Sequence, residues 1–116
     1  MKNNLSLVAV TACVTGVAHT YMAAEKLRKC CATKGFKLVV ETQGVLGSEQ
    51  HIDEEAIRNA DVVIITSDIN IAGIERFEMP LRLIYVSISD IMLNTDKLFR
   101  AIDKILHHPK GSKLEL

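Results

Sequence analysis

Cys13 is the residue in this chain best placed to do covalent chemistry. It opens the run Cys13-Val14-Thr15-Gly16-Val17-Ala18-His19-Thr20, which is built from small, hydroxyl-bearing and imidazole side chains. The thiolate is cysteine's reactive form, and a helix N-terminus favours it by stabilising negative charge. Upstream, Leu5 to Val10 is a short apolar run that suits a strand buried on both faces. From Met22 onward the composition turns to Ala, Glu, Lys and Leu, all good helix formers. A strand that runs through a small-residue loop into a helix aims backbone N–H groups at one spot, where an oxyanion such as phosphate can bind. Ala12, Gly16 and Ala18 allow the backbone to approach the anion, and Thr15 and Thr20 offer hydroxyl donors. The competing structural reading is a reduced, half-buried cysteine in an ordinary strand-to-helix turn.

A hydrolytic phosphate loop of the tyrosine-phosphatase kind places an Arg after Cys and five further residues, because the guanidinium grips phosphate bidentately. In this chain His19 occupies that position and Thr20 follows it, which argues against hydrolysis. His19 is the rival phosphate carrier, but its place at a helix start suits a supporting donor better. Cys30 and Cys31 are adjacent and lack metal-ligand spacing, so they read as helix-flank or core residues in a reducing compartment. No metal and no cofactor is called for. His51, His107 and His108 read as solvated residues.

The elements that must position Cys13 alternate along the chain. Strands are expected at 5–10, 37–41, 61–66 and 83–86, and helices at 19–33, from Asp53 to near 60, and at 95–106. A short helix is expected around 71–76. Gly35 reads as the residue ending the first helix, and Asp53 as the N-cap of the second, with Ile52 and Ile57 as its hydrophobic staple. Residues 42–48 read as a loop. One domain is expected over 1–106, with 107–116 as a C-terminal tail, frayed over 112–116. The alternation predicts a three-layer α/β fold: a four-stranded parallel sheet in order 2-1-3-4, with helices on both faces. Ligands in such sheets bind at the carboxyl ends of strands beside the switch in strand order. Gln43, Gly44, Ser67 and Asp68 then lie on neighbouring loops at the same mouth as Cys13. Arg76 and Phe77 suit a partner-docking surface, an exposed aromatic beside an Arg, while packing in the core explains Phe77 equally.

Composition narrows the partners. The 116 residues carry 14 basic and 14 acidic side chains and 48% hydrophobic residues, as an ordinary globular protein does. Balanced charge, with 4% aromatic residues and no Trp, gives no footprint for nucleic acid. The apolar runs are too short for a membrane span, and no signal peptide is expected.

The loop resembles that of the IIB component in the fructose family of the bacterial phosphoenolpyruvate-dependent sugar phosphotransferase system. That signature is a Thr-Ala-Cys-Pro-Thr-Gly-x-Ala-His-Thr loop leading into Met-Ala-Ala-Glu; here it reads Thr11 to Thr20 and then Met22-Ala23-Ala24-Glu25. Further matches are Glu41-Thr42-Gln43-Gly44, Ala60 to Ile65, and Arg76-Phe77. Val14 stands where the commonest form has Pro, a variant closest to the fructose-like members. The resemblance implies that Cys13 becomes phosphocysteine, with Val14 to Thr20 cradling the phosphate. It also implies a cytoplasmic phosphotransferase whose partners are a phosphorylated IIA donor, a membrane IIC permease and a sugar as final acceptor. A low-molecular-weight phosphatase or arsenate reductase on a similar loop is the enzymatic alternative. A non-catalytic anion-binding regulatory module is the other.

Overall fold

A computed structural model describes residues 5–12, 17–44, 47–67 and 71–116. The chain runs β1 (Ser6–Ala12), α1 (Val17–Lys34), β2 (Lys37–Gly44), β3 (Gly47–Glu49), α2 (Glu54–Asn59) and β4 (Val62–Ser67). A 3-10 turn (Ile74–Phe77), β5 (Leu83–Tyr85), α3 (Ile88–Leu93), α4 (Thr95–Ile105) and β6 (Lys113–Glu115) follow. The described strands form one sheet in the order β3-β2-β1-β4-β5-β6. The expected parallel core is present: β2, β1, β4 and β5 pair in that order, all parallel.

β1 is apolar at nearly every position because both its faces are covered. Leu7 and Ala9 pack with Ala23, Ala24, Leu27 and Cys31 of α1 and with Leu98, Ile102 and Ile105 of α4. Val8, Val10 and Ala12 point the other way, into a smaller cluster with Ile52, Ile57, Phe77 and Leu81. These clusters make the outer layers expected from the alternation of strands and helices.

Helix ends follow their chemistry. Gly35 has a φ of 75°, and the Gly35 and Phe36 N–H groups donate to the carbonyls of Ala32 (3.1 Å) and Cys31 (2.9 Å), closing α1 in a Schellman motif. Asp53 caps α2, its carboxylate accepting the Ala56 N–H at 2.9 Å, and Ile52 and Ile57 are buried together.

Four departures have physical reasons. The expected loop at 42–48 is strand instead: β2 continues to Gly44 and β3 returns antiparallel beside it. Polar letters there hide a strand because Thr42 and Gln43 are buried within the sheet. The expected frayed end is β6, parallel to β5. Gly111, with φ 100°, turns the chain and donates to Leu81, and the Leu83 N–H reaches the carbonyl of Ser112 at 3.0 Å. Helix α3 was not expected; the Ser87 hydroxyl caps it by accepting the Asp90 N–H at 3.0 Å. Residues 71–76, expected as a short helix, instead carry the start of the 3-10 turn at 74–77.

Candidate functional site

The sheet register brings three carboxyl-terminal strand ends together. Ala12, the last residue of β1, pairs with Gln43 of β2 on one side and Ser67 of β4 on the other. β1 leads through α1 to β2, whereas β4 lies on β1's opposite side, so the mouth sits at the switch in strand order. α1 starts at Val17, and its first four N–H groups have no intrahelical acceptor. Cys13 is the next residue after Ala12 in the chain. Cys13, Val14, Thr15, Gly16 and Asp68 lie outside the described residues. Val17, Ala18 and His19 supply backbone to the first turn of α1, and Thr20 is buried. Gly44 is the last residue of β2.

Gln43 is at the mouth, but its amide is engaged. It accepts the Ala72 N–H at 2.7 Å, and its Nε2 donates to the Ala72 carbonyl at 3.0 Å and to Glu41 at 2.6 Å. It therefore clamps the chain beyond β4 against the end of β2.

Arg76 and Phe77 do not form an exposed docking pair. Both are 6% exposed. Phe77 belongs to the smaller core cluster, and the Arg76 guanidinium lies 5.3 Å from its ring centre. Arg76 grips the fully buried Glu41 with both prongs, at 2.7 and 3.0 Å. Its remaining N–H groups donate to the carbonyls of Gly73 (2.9 Å), Ala72 (3.0 Å) and Ile52. A guanidinium has five N–H donors, and here each has an acceptor. Glu41 also accepts the Ile52 N–H at 2.7 Å. Burial alone would raise the Glu41 carboxyl, but bonds from Arg76, Gln43 and Ile52 and the Arg76 charge outweigh it. The carboxyl is held below the usual carboxylate range.

Gly73 makes this approach possible. Its φ is 71°, and a Cβ there would stand 2.7 Å from Arg76 Nε. Sequence reasoning missed the Glu41–Arg76–Gln43 network, although one signal was visible: Glu41 sits in register with buried Val10, where a charge needs a partner.

The other cysteines are unlike a nucleophile. Burial, and then the neighbouring Cys30, push the Cys31 thiol up to about 12. Cys30 is half-buried, with a long contact of 3.9 Å to the Thr95 hydroxyl. No group of His, Cys, Asp and Glu suited to a metal occurs among the described residues, and no described helix is long and apolar enough to cross a membrane.

Fold and register thus define a doubly wound α/β domain with a mouth at the β1/β4 switch in strand order. The family described as "PTS system, Lactose/Cellobiose specific IIB subunit" matches residues 8–101, and the chain belongs to this IIB family of the sugar phosphotransferase system. Within it the chain is similar to PTS system fructose-like EIIB component 3 of Escherichia coli K12, at 46% identity covering 95% of this chain and 96% of that one. It is 37% identical to the fructose-like PTS system EIIBC component of the same organism, across 85% of this chain and 21% of that longer protein. A crystal structure of an Escherichia coli protein described as a predicted fructose-specific IIB superposes with a TM-score of 0.88, at 46% identity over 95% of this chain and 96% of the other.

Proposed function

We propose that the chain is the phosphoryl-carrier IIB component of a fructose-like phosphotransferase system, with Cys13 as the carrier residue. The observation that carries this reading is the register of Ala12 between Gln43 and Ser67. That register brings three strand ends and the start of α1 to a common mouth, and Cys13 is the residue that follows Ala12 in the chain.

The Cys13 thiolate attacks phosphorus in line on the phosphohistidine of a IIA donor. The P–N bond breaks, its electron pair returns to the imidazole, and a P–S bond forms. Backbone N–H groups from Val14 to Thr20 and the α1 dipole stabilise the equatorial oxygens, with His19 as a supporting donor. A sugar hydroxyl held by a membrane IIC then takes the phosphoryl group and loses its proton, and the thiolate is regenerated. The fused EIIBC relative, in which a IIB-like segment and a C component share one chain, supports a IIC partner. Such a carrier works at the cytoplasmic face of the membrane, and residues 1–106 with β6 strapped to their sheet edge act as one unit.

A phosphatase on a similar loop would need an arginine for the phosphate. Position 19 is His, and Arg76 has all its donors engaged with Glu41 and backbone carbonyls. The test is mass-spectrometric mapping after incubation with a phosphorylated fructose-type IIA. Phosphate is expected on Cys13; phosphate on His19, or release of inorganic phosphate from a small aryl phosphate, would overturn the reading.

A further inference from the structure

One row of side chains crosses five strands on the face of the sheet away from α1. The register runs from Glu41 of β2 through Val10 of β1, Ile65 of β4 and Tyr85 of β5 to Glu115 of β6. Residues paired in register share a face, and Val10 and Ile65 belong to the smaller core cluster. The row carries a carboxylate at each end, and the two ends differ. Glu41 is buried and gripped by Arg76 of the same chain. Glu115 stands in the open, with only the exposed Lys113 Nζ as an ion-pair partner, at 3.2 Å.

A cleft of about 290 Å³ opens over this second end. Ile65, Val86 and Leu116 form its apolar part, and Ser67, Tyr85 and Glu115 its polar part. Ser67 also pairs with Ala12 at the mouth, so cleft and mouth share a wall. Strands lie about 4.8 Å apart, which puts β6 about 14 Å from β1, within the footprint of one protein–protein contact. Among the described residues that line the cleft, Glu115 is the sole charge. The Tyr85 ring already accepts a cation, for Lys113 Nζ lies 5.1 Å from its centre. A carboxylate, a π face and apolar walls together suit a basic side chain, its stem on the walls and its head at the acid. The Lys113–Glu115 pair is exposed on both sides and therefore weak. A guanidinium that binds a carboxylate through two parallel N–H bonds displaces it readily.

We propose that this cleft is a docking site for a basic side chain of the phosphoryl donor, seated beside the mouth while the chain is loaded. The donor comes and goes by diffusion, and charges at a contact's rim raise the on-rate and fix the orientation of such partners. Glu115 and Tyr85 are specificity determinants: they touch the donor protein and not the phosphoryl group. This inference rests on the carrier reading and adds to it one part of the donor's footprint.

The test measures transfer from a phosphorylated fructose-type IIA to the full chain, at low and high salt. It compares wild type with Glu115→Gln, Lys113→Met and Asp103→Asn. Glu115→Gln should raise the KM for the donor about threefold to tenfold at low salt, with kcat unchanged. The difference should shrink as salt screens the pair. Lys113→Met frees Glu115 for the visitor and should lower KM by about twofold. Asp103→Asn removes an equal exposed charge from α4, on the opposite layer, and should leave KM at the wild-type value. An unchanged KM in Glu115→Gln, a rise matched by Asp103→Asn, or a fall in kcat at constant KM would overturn the proposal. So would normal loading with slower delivery to the sugar in IIC-containing membranes, which would make the acceptor the occupant. Peptide mapping reports the carrier separately. A raised KM with phosphate on a residue other than Cys13 would overturn the carrier assignment and leave the cleft. An unchanged KM with phosphate on Cys13 would overturn the cleft alone, and a wild type that accepts no phosphate would overturn both.

Discussion

Replacing Arg76 with Met should make the protein gain stability in mild acid, where the wild type barely responds. Met preserves much of the length but removes the guanidinium that grips Glu41 at 2.7 and 3.0 Å. Glu41 remains fully buried, with Gln43, the Ile52 N–H and the His51 ring (Nδ1 at 3.5 Å) as its remaining close partners. Removing one partner of a buried ion pair costs about 3–5 kcal/mol. At a urea slope of about 2 kcal/mol per molar, the midpoint should fall by about 2 M at pH 7. In wild type the folded carboxyl is held below its unfolded value. Glu41 therefore contributes stability above the unfolded pKa of about 4.3, and that stability is lost as pH falls through the folded value. In Arg76→Met the burial that wild type overcomes becomes dominant and raises the folded carboxyl. The variant should then gain stability between pH 7 and pH 5, where wild type is nearly flat. Adding Glu41→Gln should remove that pH dependence and recover part of the loss. Urea melts at pH 7 and pH 5 decide the matter: a loss below about 1 kcal/mol, well short of the expected range, or curves for variant and wild type that stay parallel, would refute the reasoning.

Gly73→Ala should destabilise by roughly 1–3 kcal/mol, since it combines a left-handed backbone with a clash against Arg76. Gly111→Ala, at φ 100° but in open space, should cost less, and paired denaturant melts give the comparison. Alkylation at neutral pH, followed by peptide mapping, should modify Cys13 first and Cys31 last, because the Cys31 thiol is pushed up to about 12; a fast-reacting Cys31 would contradict its burial. Cys13→Ser should keep the fold but abolish phosphoryl acceptance from a phosphorylated IIA, whereas His19→Ala should slow it by about tenfold to a thousandfold. The opposite pattern in a transfer assay would make His19 the carrier.

What could be read from the chain follows the range of the interactions involved. β1, α1, α2 and β4 announce themselves through local patterns: the apolar run from Leu5, the glycine stop at 35, the Asp53 cap. Right-handed crossovers narrow the orders these strands can take in the sheet. The Glu41–Arg76 pair, 35 residues apart, leaves no periodic trace, and its residues looked like a strand end and a docking patch. Thr42 and Gln43 read as loop because their polarity is satisfied or enclosed only by tertiary neighbours. β6 contributes a single inward Leu114 between two charged residues, too little for a strand pattern. The mouth itself was legible in its neighbours Gln43 and Ser67, whereas the engagement of Gln43 with Ala72 was not.

The two short strands that finish the sheet bear on how this protein can meet others in a crowded cell. β3 and β6 are three residues each, one antiparallel and one parallel to its neighbour, and β6 carries Lys113 and Glu115 on its rim. Long, flat, apolar margins template strand addition and fibrous aggregation, and short charged ones resist it. If the proposed carrier role holds, successive visits by a donor and an acceptor would gain from margins whose backbone pairs with neither. Short margins of this kind leave a visiting strand little backbone to pair with.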